Sequence, residues 1–362
     1  MFKKPSHRFP LLFLSVLTLL VAMWSGLLRV GWIFPTLAPW RMAHGPLMIA
    51  GFLGTLIGVE RAVALNKSWL YLGPVLSAAG GIYYVAGGEE LTGAFFMLAG
   101  SLGLVIMFLF ILKQHRVDYT VVMALGALAL FVGMLLWVLG YSIPKIVLWW
   151  SAFLVLTIVC ERLELSRLLP PSPFKRNSGL TVVGIYLLGL FLTIFSTDLG
   201  TRIASAGMLL MTIWLLRFDI SRFTIRKKEL VRFVAICLMS GYIWLGVGGV
   251  IGLVYGATVA GPTYDAFLHT IFVGFTFSMI FGHAAIIFPA ILMLPVRYSS
   301  KFYYPLALLH ISLLMRVVGD LAFIHQIRLW GSMLNAIAIL AFLIIMGGTI
   351  IKGRKEDIES EK

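Results

Sequence analysis

The sequence predicts an all-α polytopic membrane protein with about twelve transmembrane helices. Three observations carry that fold class. Hydrophobic residues make up 60% of the chain and charged residues 12%. The mean hydropathy is +0.98. Apolar runs of roughly 20 residues, the length that crosses a hydrocarbon core, recur from end to end. Nothing is left over for a soluble domain, so residues 1–362 read as a single integral membrane domain.

The first expected span, 9–30, follows the basic Lys3, Lys4 and Arg8 and ends among Trp24, Trp32 and Phe34. It is too long and too aromatic for a secretory signal and lacks a small-residue cleavage site, so it reads as a retained span. The next five fall at 44–65, 69–88, 92–112, 119–140 and 145–168, and the last six at 178–197, 200–217, 231–257, 264–295, 302–323 and 328–351. Between the two groups lies Pro170-Pro171-Ser172-Pro173-Phe174-Lys175-Arg176-Asn177, a Pro-rich basic loop that divides the chain into candidate halves 1–170 and 178–351. Residues 352–362 form a charged tail. Glycines recur at helical spacing, as in Gly54-xxx-Gly58 and Gly248-xxx-Gly252-xxx-Gly256, the pattern that lets helix backbones approach closely. No repeat relates the halves, and no phosphate-binding loop, catalytic triad or CxxC pair is present.

A net charge of +14 would point to nucleic acid in a soluble chain. Here the charges alternate between loops, which points to the bilayer as partner and excludes nucleic acid. The basic loops carry Lys3 to Arg8, Arg61 and Lys67, Lys113 and Arg116, Arg162 to Arg176, Arg217 to Arg232, Arg297 and Lys301, and Lys352 to Lys362. The intervening ones offer only Arg29, Arg41, Lys145, Arg202 and Arg328. This positive-inside pattern predicts a multi-pass chain with both termini in the cytoplasm. Cys160 and Cys237 read as unpaired core residues.

The chemistry-bearing candidates are ionisable groups inside apolar runs, where each needs a reason. With the termini inside, His44 and His269 each open a span at the extracytoplasmic face. Two neutral imidazoles from different helices, over opposite faces of a porphyrin, form a bis-histidine haem site, and Arg41 would suit a propionate. The alternative is a pair of interfacial histidines solvated by headgroups. His269 and His283 are fourteen residues apart, which on an unbroken α-helix puts them within about 40° of one face and about 21 Å apart. His283 and His310 reach similar depths on neighbouring spans, as a second metal or proton site or as satisfied core groups. Arg316 lies inside a span, four residues from Asp320, and the two can pair as a structural or propionate-binding element. Glu60 and Glu161, at inner span ends beside Arg61 and Arg162, suit either the mouth of a proton path or local ion pairs.

Three stretches resemble the NnrS family of haem- and copper-containing bacterial membrane proteins. They are Ala43-His44-Gly45-Pro46-Leu47-Met48-Ile49-Ala50-Gly51-Phe52-Leu53, Gly241-Tyr242-Ile243-Trp244-Leu245 and Leu268-His269-Thr270-Ile271-Phe272-Val273-Gly274. The resemblance implies a haem-copper-oxidase-like bundle of about twelve helices and haem ligation by the second and tenth spans. It also implies a role in nitric oxide or nitrosative-stress response, with a respiratory electron donor. The chain departs from the family at Met42 and Met239, where histidines are usual, which leaves copper open. Two readings compete with a haem protein. One is a proton-coupled secondary transporter using Glu60, Glu161, His283, His310 and Arg316, and the other is an assembly subunit of a respiratory complex.

Overall fold

A computed structural model describes residues 5–36, 40–165, 172–294 and 296–360. The described residues are helical, with no strand among them. Ten helices are long and apolar enough to cross a membrane. That agrees with a polytopic membrane protein, in which helices are the spanning elements that satisfy their own backbone groups.

Close packing divides the chain into two compact units, 1–157 with 290–293 and 158–289 with 294–362. Of the Pro-rich stretch expected between the halves, Pro170 and Pro171 lie outside the described residues, and Pro173 to Asn177 begin α8. The first unit contains α1 (Phe9–Val30), α2 (Trp40–Pro46), α3 (Thr55–Leu65), α4 (Leu72–Val85), α5 (Glu90–Gln114), α6 (Asp118–Val138) and most of α7 (Ile143–Leu165). The second contains α8 (Pro173–Leu192), α9 (Thr197–Phe218), the short α10 (Ser221–Thr224), α11 (Glu229–Tyr255), α12 (Pro262–His269), most of α13 (Ser278–Leu292), α14 (Tyr303–Leu321) and α15 (His325–Ser360).

Two expected spans are not among the ten long ones. The one at 69–88 is a 3₁₀ turn at Ser68–Tyr71 followed by the 14-residue α4, a helix of only about 21 Å. The one at 178–197 is α8, which starts at Pro173 and carries Lys175 and Arg176 in its first turn. The charged tail expected from 352 continues α15 to Ser360.

The largest departure from an unbroken helical pattern lies in two spans. Leu47–Gly54 connects α2 to α3 as an eight-residue π-helical segment, and Thr270–Phe277 connects α12 to α13 in the same way. In the first, Pro46 removes a backbone donor at the segment's head. In the second, Thr276 Oγ1 donates to the carbonyl of Ile271, five residues back, and Ser278 Oγ to that of Gly274, so hydroxyls satisfy carbonyls of the widened turn. A π turn holds more residues than an α turn. The shared face expected for His269 and His283 therefore does not carry across, because the segment changes the angle between them.

Small residues set the packing. In the first unit, Gly51 of the π segment meets Thr18 of α1, and a Cβ on Gly81 of α4 would press on both Thr18 and Gly51. In the second, a Cβ on Gly189 of α8 would collide with the backbone of Ala204 on α9. At the end of α11, Arg202 Nη1 donates to the carbonyls of Leu253 and Val254, while Asp198 accepts from the Ala257 amide at 3.0 Å. This ion pair thus caps carbonyls that a helix end leaves unsatisfied.

Gly184 on the same α8 faces open space. Gly189→Ala is therefore expected to destabilise the protein by about 1–3 kcal/mol through backbone overpacking, while Gly184→Ala is neutral or gains up to about 1 kcal/mol of helix propensity. Thermal unfolding of both variants in detergent checks this pair.

Candidate functional site

His44 lies near the end of α2, immediately before the first π segment. Its Nδ1 is 2.7 Å from the carbonyl of Ala22 on α1. The ring reaches that carbonyl because residue 26 is glycine: a Cβ there would stand 2.8 Å from both Nδ1 and Cε1 of the imidazole. Further bonds hold this end of α2. Ser25 Oγ donates to the Trp40 carbonyl, and Trp40 Nε1 donates to the carbonyl of Val85 on α4 at 2.8 Å. Arg41 is in α2, but its side chain lies outside the described residues.

His269 occupies the corresponding place in the second unit, as the last residue of α12 before the second π segment. Its Nδ1 lies 2.8 Å from the Asp265 carbonyl and 3.2 Å from Asp265 Oδ1. The Asp265 carboxylate is gripped from α14 by Arg316, whose Nε and Nη2 donate to its two oxygens at 2.7 and 2.8 Å. This two-pronged pair is the strong geometry for guanidinium and carboxylate. It corrects the expected pairing of Arg316 with Asp320, and it engages the Arg316 fork that was a candidate for a propionate. Asp320 is completely buried, and its nearest cation is Arg328 Nε of α15 at 3.7 Å.

His283 and His310 have different partners. His283 Nδ1 is 2.7 Å from the Met279 carbonyl, and its Nε2 faces Arg162 Nη2 at 3.1 Å. Arg162 can only donate, so the Nε2 lone pair is engaged. Trp244 Nε1 donates to His310 Nδ1 at 3.0 Å, which fixes the proton of the neutral ring on Nε2. Neither imidazole then presents a lone pair, and the metal site expected of them is not supported by this geometry. Glu60 pairs with its neighbour Arg61 at 3.4 Å. Glu161, on α7 beside Arg162, lies within electrostatic reach of His283. Cys160 and Cys237 are buried free thiols, as expected.

The Gly-Tyr-x-Trp-Leu stretch has packing roles in α11. A Cβ on Gly241 would press on Met279 and the Phe275 carbonyl, and one on Gly274 of the π segment would press on the Trp244 ring. Trp244 thereby joins α11, the π segment and α14. The sequence signals for these partnerships were weak. Arg316 inside a span demanded a counter-charge, but Asp265 is 51 positions away, whereas Asp320 stood at the familiar i,i+4 spacing.

Whether these residues fit a haem iron depends on their donor atoms. In His44 and His269 the Nδ1 hydrogen points at a backbone carbonyl, which leaves the lone pair on Nε2. Metal-bound histidines are commonly oriented in this way, so each of the two fits as a ligand within its own unit. Among the described residues no three His, Cys, Asp or Glu side chains group as a metal site.

The fold and these residues define a helical protein whose spanning helices carry buried, internally paired ionisable groups. The family described as "Domain of unknown function (DUF8744)" matches residues 8–350, and the chain belongs to that family. No curated protein matches it.

Arg316 is 6% exposed and neutralises Asp265 from a neighbouring helix. Arg316→Met is expected to cost about 3–5 kcal/mol, because it leaves a carboxylate without its partner. Arg316→Lys, which keeps the charge but not the fork, should cost less. Unfolding measurements on the two variants test the order.

Proposed function

We propose that the protein is a haem-binding membrane protein of the bacterial inner membrane, similar to the NnrS family and active in the response to nitric oxide or nitrosative stress. One observation carries the reading. His44 and His269, the haem-ligand candidates, are each oriented by an Nδ1 bond to a backbone carbonyl, and each stands just ahead of an eight-residue π-helical segment. Such segments are concentrated at functional sites, because they displace side chains from the regular helical positions. His44 and His269 are the imidazole ligands in this proposal. The chain's part is to fix their tautomers, through Ala22 and Asp265, and to keep the ring planes in place.

Haem, when bound, supplies an iron that exchanges electrons and takes diatomic ligands such as nitric oxide. A respiratory electron donor is the partner class this implies, and copper belongs to the proposal only as an accompanying metal. The loop charges support cytoplasmic termini. Taking α4 and α8 as spans brings the number to twelve, the number in the oxidase-like arrangement of the resembled family.

A second reading, a proton-coupled secondary transporter, draws on a different observation. The second unit holds ionisable pairs inside its helices, Arg162 with His283 and Arg316 with Asp265. Such groups commonly mark ion or proton pathways. Glu60, Glu161 and His310 would complete such a path.

Oxidised and dithionite-reduced absorption spectra of detergent-purified protein from haem-sufficient cells test the first reading. A Soret band is expected in the wild type, and it should be lost or shifted in His44→Ala and in His269→Ala. Gly26→Ala, which displaces the His44 ring, should shift it without abolishing it. A colourless wild type overturns the haem reading, and pH-gradient-driven solute flux in proteoliposomes then becomes the deciding measurement.

A further inference from the structure

Asp320 is the least expected residue in the second unit. Its side chain is 0% exposed, and neither carboxylate oxygen has a hydrogen-bond donor within reach. Among the described residues, these charged groups face it. From α12 comes Asp265, whose carboxyl lies within hydrogen-bonding reach of its own. From α14 itself comes Arg316, whose fork is directed at Asp265. From α15 comes Arg328, at 3.7 Å and so beyond hydrogen-bonding distance. His325 Nδ1 stands behind Arg328, 3.2 Å from its Nη2. His269 touches Asp265.

An ionised Asp320 would be an acceptor facing another acceptor. Asp265 repels such a charge, while Arg316 and Arg328 attract it, neither of them through a hydrogen bond. What remains is the cost of holding a charge out of water without one hydrogen bond, and that cost is large. A single proton removes it. With a hydrogen on Asp320, its O–H donates to Asp265, repulsion becomes a hydrogen bond, and Asp265 keeps both bonds from Arg316.

A pocket of about 180 Å³ is lined by Pro262, Gly319, Phe323, His325 and Arg328. Gly319 is next to Asp320 in the chain, and a Cβ on it would run into the Arg328 backbone. The pocket lining therefore includes the residue beside the acid and the cation that faces it.

We propose that Asp320 is a proton-binding site. It holds one proton at neutral pH, hydrogen-bonded to Asp265, and exchanges it with solvent through the pocket at the α14–α15 turn. The ligand is a proton and needs no cofactor, so the site stands or falls apart from haem binding.

Infrared spectra of the full-length protein in phospholipid vesicles at pH 7, recorded as wild type minus Asp320→Asn, test the site. The wild type is expected to show the C=O stretch of a protonated carboxyl, shifted in D2O and lost in the variant, whose amide still donates to Asp265. A difference spectrum containing only carboxylate bands overturns the proposal. If Asp320→Asn does not fold, as judged by circular dichroism, wild type labelled with ¹³C-carboxyl aspartate replaces it. A protonated-carboxyl band that moves on labelling supports the site, and the absence of such a band overturns it. Spectra of haem-free protein should give the same result, whereas a colourless protein that retains the band would reject only the haem reading.

Discussion

Hydrocarbon offers no hydrogen-bond partners, and this constraint governs every polar residue in the spans. Hydroxyls turn mostly to carbonyls of their own helix, as Ser15, Thr270 and Ser278 do, whereas several ionisable and aromatic donors find their complement across helices. Arg316 of α14 closes on Asp265 of α12, Trp244 of α11 on His310 of α14, and Arg162 of α7 on His283 of α13. These contacts fix the rotation of each helix about its own axis, which apolar packing alone would leave loosely specified. The glycines act in the same direction. Close approach of α8 to α9 at Gly189, and of α4 to the first π segment at Gly81, is available only without side chains.

The π segments are the second consequence. A helix that passes through the bilayer with every backbone bond intact has no reason to widen, since a π turn is rare and appears mostly at functional sites. Here the widened turns follow His44 and His269, and their carbonyls are served by hydroxyls in the second unit and loosened by Pro46 in the first. Each segment also carries a glycine against a neighbouring helix, Gly51 against Thr18 of α1 and Gly274 against Trp244 of α11. The functional histidine candidates thus sit beside the two stretches where the helix departs from α geometry.

Much of this was legible from composition. Apolar runs of spanning length, bounded by alternating charge, located the long helices because the bilayer imposes one length on all of them. The resolution of that signal is coarse. Hydropathy does not register a 14-residue helix behind a 3₁₀ turn, as at α4, nor a change from α to π pitch within Leu47–Gly54 and Thr270–Phe277. The candidate residues were legible one at a time, because an ionisable group in an apolar run is conspicuous. Their partners were not, because pairing depends on which helices are neighbours. Local spacing suggested Asp320 for Arg316, and tertiary packing selected Asp265 instead. The tautomers of His283 and His310 follow from Arg162 and Trp244 on other helices.

The two singled-out histidines are secured by different means, and this bears on how each site would respond to perturbation. His269 is oriented within its own helix, by a carbonyl four residues back, and the same Asp265 is anchored by Arg316. Its geometry is preserved as long as α12 remains helical and the ion pair to α14 remains closed. His44 depends on a carbonyl 22 residues away on another helix, reached across a glycine. Its geometry is preserved only while α1 and α2 stay in register. A change in how the first unit packs would therefore move His44 before it disturbed any local structure, whereas His269 would respond first to a change in the Asp265–Arg316 pair. Two imidazoles of the same type are thus coupled to different variables, one to helix packing and the other to the buried charges of α12, α14 and α15.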